Sequence, residues 1–189
     1  ILHLMIGILL YIIGKKILKY CKEVPFTEKQ TTSIALFAAS IWLIHPLHIS
    51  TVLYAVQRMT QLSTLFTLLA ILAYIIGRER MLQEKIFSYS ILLGGYVIFG
   101  LLGIFSKETT ALLPGYILLI EVLVFKFQTP SSLIRKTDKK FVITFSVVAI
   151  LPILLGLSIF ILKSDAFLNG YMNREFSLVE RLMTESHIL

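Results

Sequence analysis

The chain is short of charge, and shorter still of negative charge. Only 15% of its residues are charged against 57% hydrophobic, and the mean hydropathy is +0.84, which excludes an ordinary soluble domain. The 11 acidic residues face 18 Lys and Arg, for a formal charge of +7. A single cysteine, Cys21, rules out an internal disulfide and any cysteine-based metal site, and it reads as a loop-edge residue. No Walker-type loop, dinucleotide fingerprint or catalytic-triad spacing is present, so a soluble nucleotide-using enzyme is not expected. Internal repeats and low-complexity tracts are missing too.

What the chain does have is apolar length. Crossing about 30 Å of hydrocarbon takes on the order of 20 residues. Candidate spans are 1–14, 32–54, 60–77, 87–105, 109–127 and 141–162. This predicts an all-α, polytopic transmembrane bundle of about six spans over residues 1–162, followed by a tail over 163–189. The sequence opens at Ile1 inside an apolar run and stops just after an amphipathic stretch. It therefore reads as an internal portion of a longer protein, its first span shortened.

The basic residues are not spread evenly. Lys15, Lys16, Lys19, Lys22 and Lys29 fall in one connection, Arg78, Arg80 and Lys85 in a second, and Lys126, Arg135, Lys136, Lys139 and Lys140 at or in a third. The alternate connections hold only Arg58 and Lys107, with Lys163, Arg174 and Arg181 in the tail. By the positive-inside rule 15–31, 78–86 and 128–140 are cytoplasmic, and the acidic partner of this basic chain is the inner leaflet rather than nucleic acid.

That orientation gathers the remaining polar residues on the outer face. Arg58 and Lys107 both break the charge asymmetry there, and a guanidinium beside an ammonium suits a phosphate. Ser106-Lys107-Glu108 reads as a tight outer turn, with Ser106 capping the next helix and Glu108 offsetting the unfavourable dipole at Lys107. The alternative for each cation is an interfacial anchor. His45 and His48 flank Pro46, which interrupts the second span. Either that span ends at His45, leaving 46–58 along the outer interface, or it continues with a kink to Tyr54; the first is favoured. With no third ligand placed by spacing, these histidines suit a substrate pocket, general-base work or plain packing better than a metal.

Glu121, inside a span, suggests a structural ion pair or hydrogen bond, with Lys126 near. Pro114 and Pro152 suggest kinks. In the tail, Ser177 to Glu180 forms a capping box heading an amphipathic turn with Leu178, Val179, Leu182 and Met183 on one face. Arg174, Glu180 and Arg181 would lie on the outer side, roofing the same site or simply solvated.

The run His45-Pro46-Leu47-His48, then Val52, Gln57-Arg58 and Leu62, followed by Ser106-Lys107-Glu108, resembles the membrane portion of the TMTC-type protein O-mannosyltransferases and their bacterial relatives, which often carry tetratricopeptide repeats. The tail segment Glu180-Arg181 to Thr184-Glu185 is similar to one preceding a further span in the bacterial members. Over roughly residues 30–189 the resemblance implies a GT-C glycosyltransferase in a bacterial inner membrane, or the endoplasmic reticulum of a eukaryote. It implies a polyprenyl-phosphate sugar as donor, a protein or glycan acceptor, membrane lipids as partners and no cofactor. The substrate-binding residues would be Arg58, Lys107, Glu108, His45 and His48. The family's acidic base would lie before Ile1, so no catalytic residue falls in this chain. A secondary transporter and a catalytically silent membrane anchor are the competing readings.

Overall fold

Long apolar helices gain little from burying leucine against leucine in a lipid-like surrounding, so close backbone approach and polar contacts must pair them. The computed structural model describes residues 1–20, 26–83, 87–127 and 139–162, together with Glu180, Met183 and Thr184. Every regular element among the described residues is helical. The chain divides into two units, Ile1–Ile150 and Leu151–Leu189.

In the first unit, α1 (Leu2–Lys19) and α2 (Glu28–Ile44) pack together as a pair, His3 of α1 reaching Leu43 of α2. The α2 start is set by Thr27, whose hydroxyl accepts from the Gln30 amide while the Gln30 side chain accepts from the Thr27 amide. At its far end His45 is extended ahead of Pro46, and α2 stops at Ile44. The chain then takes a 3-10 turn (Pro46–His48), the short α3 (Ile49–Leu53), an extended Tyr54 and a second 3-10 turn (Ala55–Gln57). The stretch Pro46–Leu53 bends by 51° from α2. The break therefore falls where the proline placed it, and the residues beyond it form short helical pieces.

The longest element, α4 (Arg58–Leu82), runs antiparallel to α5 (Ser88–Ser106). Small residues make this the most intimate contact of the unit: a Cβ added at Gly95 would overlap that of Ala73. After α5 the extended Lys107 leads into a 3-10 turn (Glu108–Leu112), α6 (Leu113–Ile120) and a π-helical turn (Glu121–Phe125). Pro114 stands in the first turn of α6, where its missing N–H costs little, just after the change from 3-10 to α-helix. The π-turn closes with the Lys126 amide on the Glu121 carbonyl at 2.7 Å, and left-handed Lys126 and Phe127 end the helix. The unit ends with α7 (Lys139–Phe145) and a second π-turn (Ser146–Ile150). One core, including Ala70, Tyr74, Leu92, Ile117, Phe125 and Phe141, joins α4, α5, α6 and α7. A smaller one, built on Ile6, Leu9 and Leu65, joins α1 to α4.

In the second unit α8 (Leu151–Leu162) is described, with Pro152 in its first turn. Glu180, Met183 and Thr184 are helical and exposed, the Thr184 hydroxyl donating to the Glu180 carbonyl at 2.7 Å. Arg174, Arg181 and the rest of the expected capping box and amphipathic face lie outside the described residues.

Four helices, Ala55–Leu82, Ser88–Ser106, Glu108–Phe125 and Phe141–Ile159, are long and apolar enough to cross a membrane, or five if the bent pair α2–α3 is one span. Large apolar side chains such as Phe37, Ile98, Phe105 and Leu123 stand exposed while Arg78 and Glu121 are wholly buried, an arrangement compatible with an integral membrane protein. Two boundaries differ from the sequence expectation. The α1 helix continues past residue 14 through Lys15, Lys16 and Lys19, whose charge keeps it out of this group. The α4 helix absorbs Arg78 and Arg80, which hydropathy assigns to a loop. Replacing Gly95 with Leu forces α4 and α5 apart, and we expect a loss of about 1–3 kcal/mol, measured as a lower melting temperature of the detergent-purified protein.

Candidate functional site

One face of α4 carries most of the interior polarity of the first unit. From its start, Thr60, Ser63, Thr64 and Thr67 recur at helical spacing, followed by Tyr74 and Arg78 toward its end. Hydroxyls in an apolar interior need partners. Thr64 and Thr67 donate back to the carbonyls of Thr60 and Ser63, at 2.8 and 2.9 Å. Ser63 meets Thr110 at 2.7 Å and Thr109 at 3.2 Å, and Thr67 donates to Thr110 at 3.3 Å. Gly103 permits this: a Cβ there would lie 2.6 Å from the Thr110 methyl, so the 3-10 turn folds beneath α5 only because that space is empty. An open cavity of about 320 Å³ lies beside the cluster, lined by Ser63, Thr64, Thr67, Thr109 and Tyr116 with Leu68 and Ile71.

Lys107 sits above this cluster. Its extended backbone turns it off the end of α5, and its ammonium donates to the Thr60 hydroxyl at 2.8 Å. Thr60 in turn donates to the Gln57 side-chain carbonyl at 2.9 Å. Arg58, exposed, opens the same turn of α4. The two cations singled out in the sequence thus stand at one end of the unit, Arg58 two residues before the Thr60 that holds Lys107. The local chemistry differs from the expected one. Ser106 caps nothing: it is the last residue of α5, and its hydroxyl bonds back to the Leu102 carbonyl at 2.8 Å. Among the described residues Lys107 has no ion pair with Glu108, which is exposed; a hydroxyl, not a carboxylate, steadies the ammonium.

At the same end the histidines form a ring cluster. His48 tilts against Trp42 at 4.3 Å between centroids and lies 6.1 Å from His45. His3, which sequence reasoning passed over, stacks on Trp42 at 4.9 Å and comes 5.5 Å from His48. The His3 ring nitrogen Nε2 bonds the Leu43 carbonyl at 2.9 Å, and His45 Nδ1 accepts from the Leu47 amide at 3.3 Å. A groove of about 370 Å³ runs between these rings and Ile44, Ile49, Val52 and Leu53. Among the described residues no group of three His, Cys, Asp or Glu is arranged to hold a metal ion. Only the i, i+3 spacing of His45 and His48 was legible; His3 comes from the facing helix and gave no signal of its own.

The opposite end holds the charges of opposite sign. Arg78 forks onto Glu121, Nε to Oε2 at 2.9 Å and Nη2 to Oε1 at 2.6 Å, with Tyr74 donating to Oε2 at 2.7 Å. The guanidinium carbon lies 4.2 Å from the Phe141 ring centroid and 5.2 Å from that of Phe125. Glu121 is thus in an ion pair, as its position suggested, but with Arg78 rather than Lys126. Next along α4, Glu79 pairs with Lys16 of α1. Burial first, then the Glu79 carboxylate, raises the Tyr20 phenol above its usual range and keeps it neutral. No buried side-chain nitrogen or oxygen among the described residues lacks a partner.

Comparison with protein-family models, with curated proteins and with solved structures finds no match to this chain. Leaving one charge of the buried fork without its mate should cost about 3–5 kcal/mol. Arg78→Met and Glu121→Leu singly are therefore expected to lower the melting temperature sharply. The double substitution should recover most of the loss, and the three melting curves decide it.

Proposed function

We propose that the chain is an integral-membrane glycosyltransferase of the GT-C type, moving a sugar from a polyprenyl-phosphate donor to an acceptor hydroxyl on the non-cytoplasmic side, with protein O-mannosylation as its finer reading. The observation that carries this is that Arg58 and a Lys107 held by Thr60 lie at one end of the unit, away from the lysine-rich turns. Six crossings follow if α1 and the bent α2–α3 pair are counted with the four apolar helices. The positive-inside rule then puts the Arg58 end outside. The setting is a bacterial inner membrane, or the endoplasmic reticulum of a eukaryote.

In this reading the donor's phosphate lies at the membrane surface between guanidinium and ammonium. As the bond from the sugar's anomeric carbon to the phosphate oxygen breaks, that oxygen keeps the electron pair. The two cations neutralise the growing charge. The acceptor oxygen forms the new bond and gives its proton to a carboxylate, which the resemblance places upstream of Ile1. Thr60 and Gln57 position Lys107, taking the part first expected of Glu108. His45 and His48 line the groove near Trp42 for sugar or acceptor. A secondary transporter is the second reading, favoured by the 51° break and by the ionisable pair inside the bundle; solute uptake into proteoliposomes without sugar transfer would establish it.

In the complete gene product, Lys107→Ala should lower transfer from a labelled polyprenyl-phosphate sugar by about 10²–10³, and retention within about threefold would overturn the assignment. Thr60→Val should lower kcat about tenfold with KM little changed, since one steadying hydrogen bond is lost. Thr60→Ser, which keeps the hydroxyl, should restore it.

A further inference from the structure

Two imidazoles lining the groove of about 370 Å³ near Trp42 each have one nitrogen engaged and one open. The engaged partners decide what the open nitrogens are. His3 Nε2 bonds the Leu43 carbonyl at 2.9 Å; a carbonyl only accepts, so Nε2 carries the proton and Nδ1 of the neutral ring keeps a lone pair. His45 Nδ1 receives the Leu47 amide at 3.3 Å; an amide only donates, so here too the proton sits on Nε2. The rings share one tautomer and show opposite halves of it, a lone pair at His3 and an N–H at His45. Neither open nitrogen has a hydrogen-bond partner among the described residues. His48, 5.5 Å from the first ring and 6.1 Å from the second between centroids, ties them to one stretch of the groove. The remaining wall is aliphatic, with Leu43, Ile44, Ile49, Val52 and Leu53, and among the described residues no Lys, Arg, Asp or Glu lines it.

We infer that this groove binds a neutral sugar ring, one hydroxyl accepting from His45 Nε2 and another donating to His3 Nδ1, with the ring's C–H face on the aliphatic wall. The lining selects against other occupants. An anion or a cation would meet no opposite charge there. A hydrocarbon chain would strip water from a donor and an acceptor and return a hydrogen bond to neither. A sugar carries hydroxyls that both donate and accept on one rigid ring, over a C–H surface, and the space is of the size that small-molecule sites use. His3 thereby joins His45 and His48 as a binding residue of this groove. Calling the sugar a substrate rests on the proposed transfer; the binding itself is measured without a donor.

The test uses the full chain in phosphatidylcholine nanodiscs, which bring no sugar of their own. Trp42 is the one tryptophan of the sequence and packs against His3 and His48, so its emission reports on the groove. Titration with methyl α-glucopyranoside should change that emission saturably, and nitrogen NMR of labelled histidines should find His3 and His45 both protonated at Nε2. His3→Gln puts an amide where Nε2 stood, which keeps the Leu43 bond and deletes the acceptor. His45→Asn keeps an oxygen for the Leu47 amide and deletes the donor. Each should weaken glycoside binding about tenfold at an unchanged melting temperature, since one hydrogen bond to the ligand is lost. No saturable response, unchanged affinity in either variant, or a proton on Nδ1 of either ring would overturn the proposal. So would an equal response to N-acetylserinamide, which would make the groove a peptide site. Glycoside binding without transfer from a polyprenyl-phosphate sugar would leave the groove standing and remove the transferase; transfer without glycoside binding would do the reverse.

Discussion

A guanidinium and a carboxylate buried together among aromatic rings hold this molecule in register. Arg78 and Glu121 are each wholly shielded, and the fork between them is their charge pairing, with Tyr74 adding a third hydrogen bond to the carboxylate. The fork fixes α4 against the end of α6. Immediately beside it, Glu79 fixes α4 against α1 through Lys16. Two adjacent residues of opposite sign thus tie one helix to two neighbours, where apolar contacts alone would let helices slide in a lipid-like surrounding.

The same helix carries that register to its other end. With α4 and α6 held at Arg78, Ser63 and Thr67 come opposite Thr109 and Thr110, and Gly103 leaves the room this needs. The 3-10 turn that presents these threonines begins just after Lys107, so the hydroxyl cluster also decides where the ammonium points. Lys107 finds Thr60 because everything beneath it is already in place. The ion pair at one end and the cation site at the other belong to one polar stripe, interrupted in the middle by Leu68 and Ile71.

Much of the candidate site was legible residue by residue. His45, His48, Arg58 and Lys107 stood out because polar groups are so scarce that each one needed a reason, and the charge asymmetry put them on a common side. Their supports did not stand out. Thr60, Ser63 and Thr67 recur at helical spacing, yet threonine and serine in an apolar helix are ordinary, and nothing local says which will meet across a helix pair. His3 drew no attention, because its ring partners come from the facing helix. Arg78 was read as a loop charge because hydropathy falls at that point, although the helix runs on for another turn.

Composition and spacing alone determined that the chain is helical, that it carries several stretches long enough to cross a bilayer, and that it breaks at His45-Pro46. Each depends on properties a residue brings by itself: transfer free energy, charge, and the fixed ring of proline. Pairing was decided only in three dimensions. Glu121 chose Arg78 over the nearer Lys126 because the π-turn brings it to the face of α4. Lys107 turned to a hydroxyl instead of its neighbour Glu108 because its backbone is extended. Partner choice depends on which side chains two helices bring opposite one another, and no single stretch of sequence contains that information.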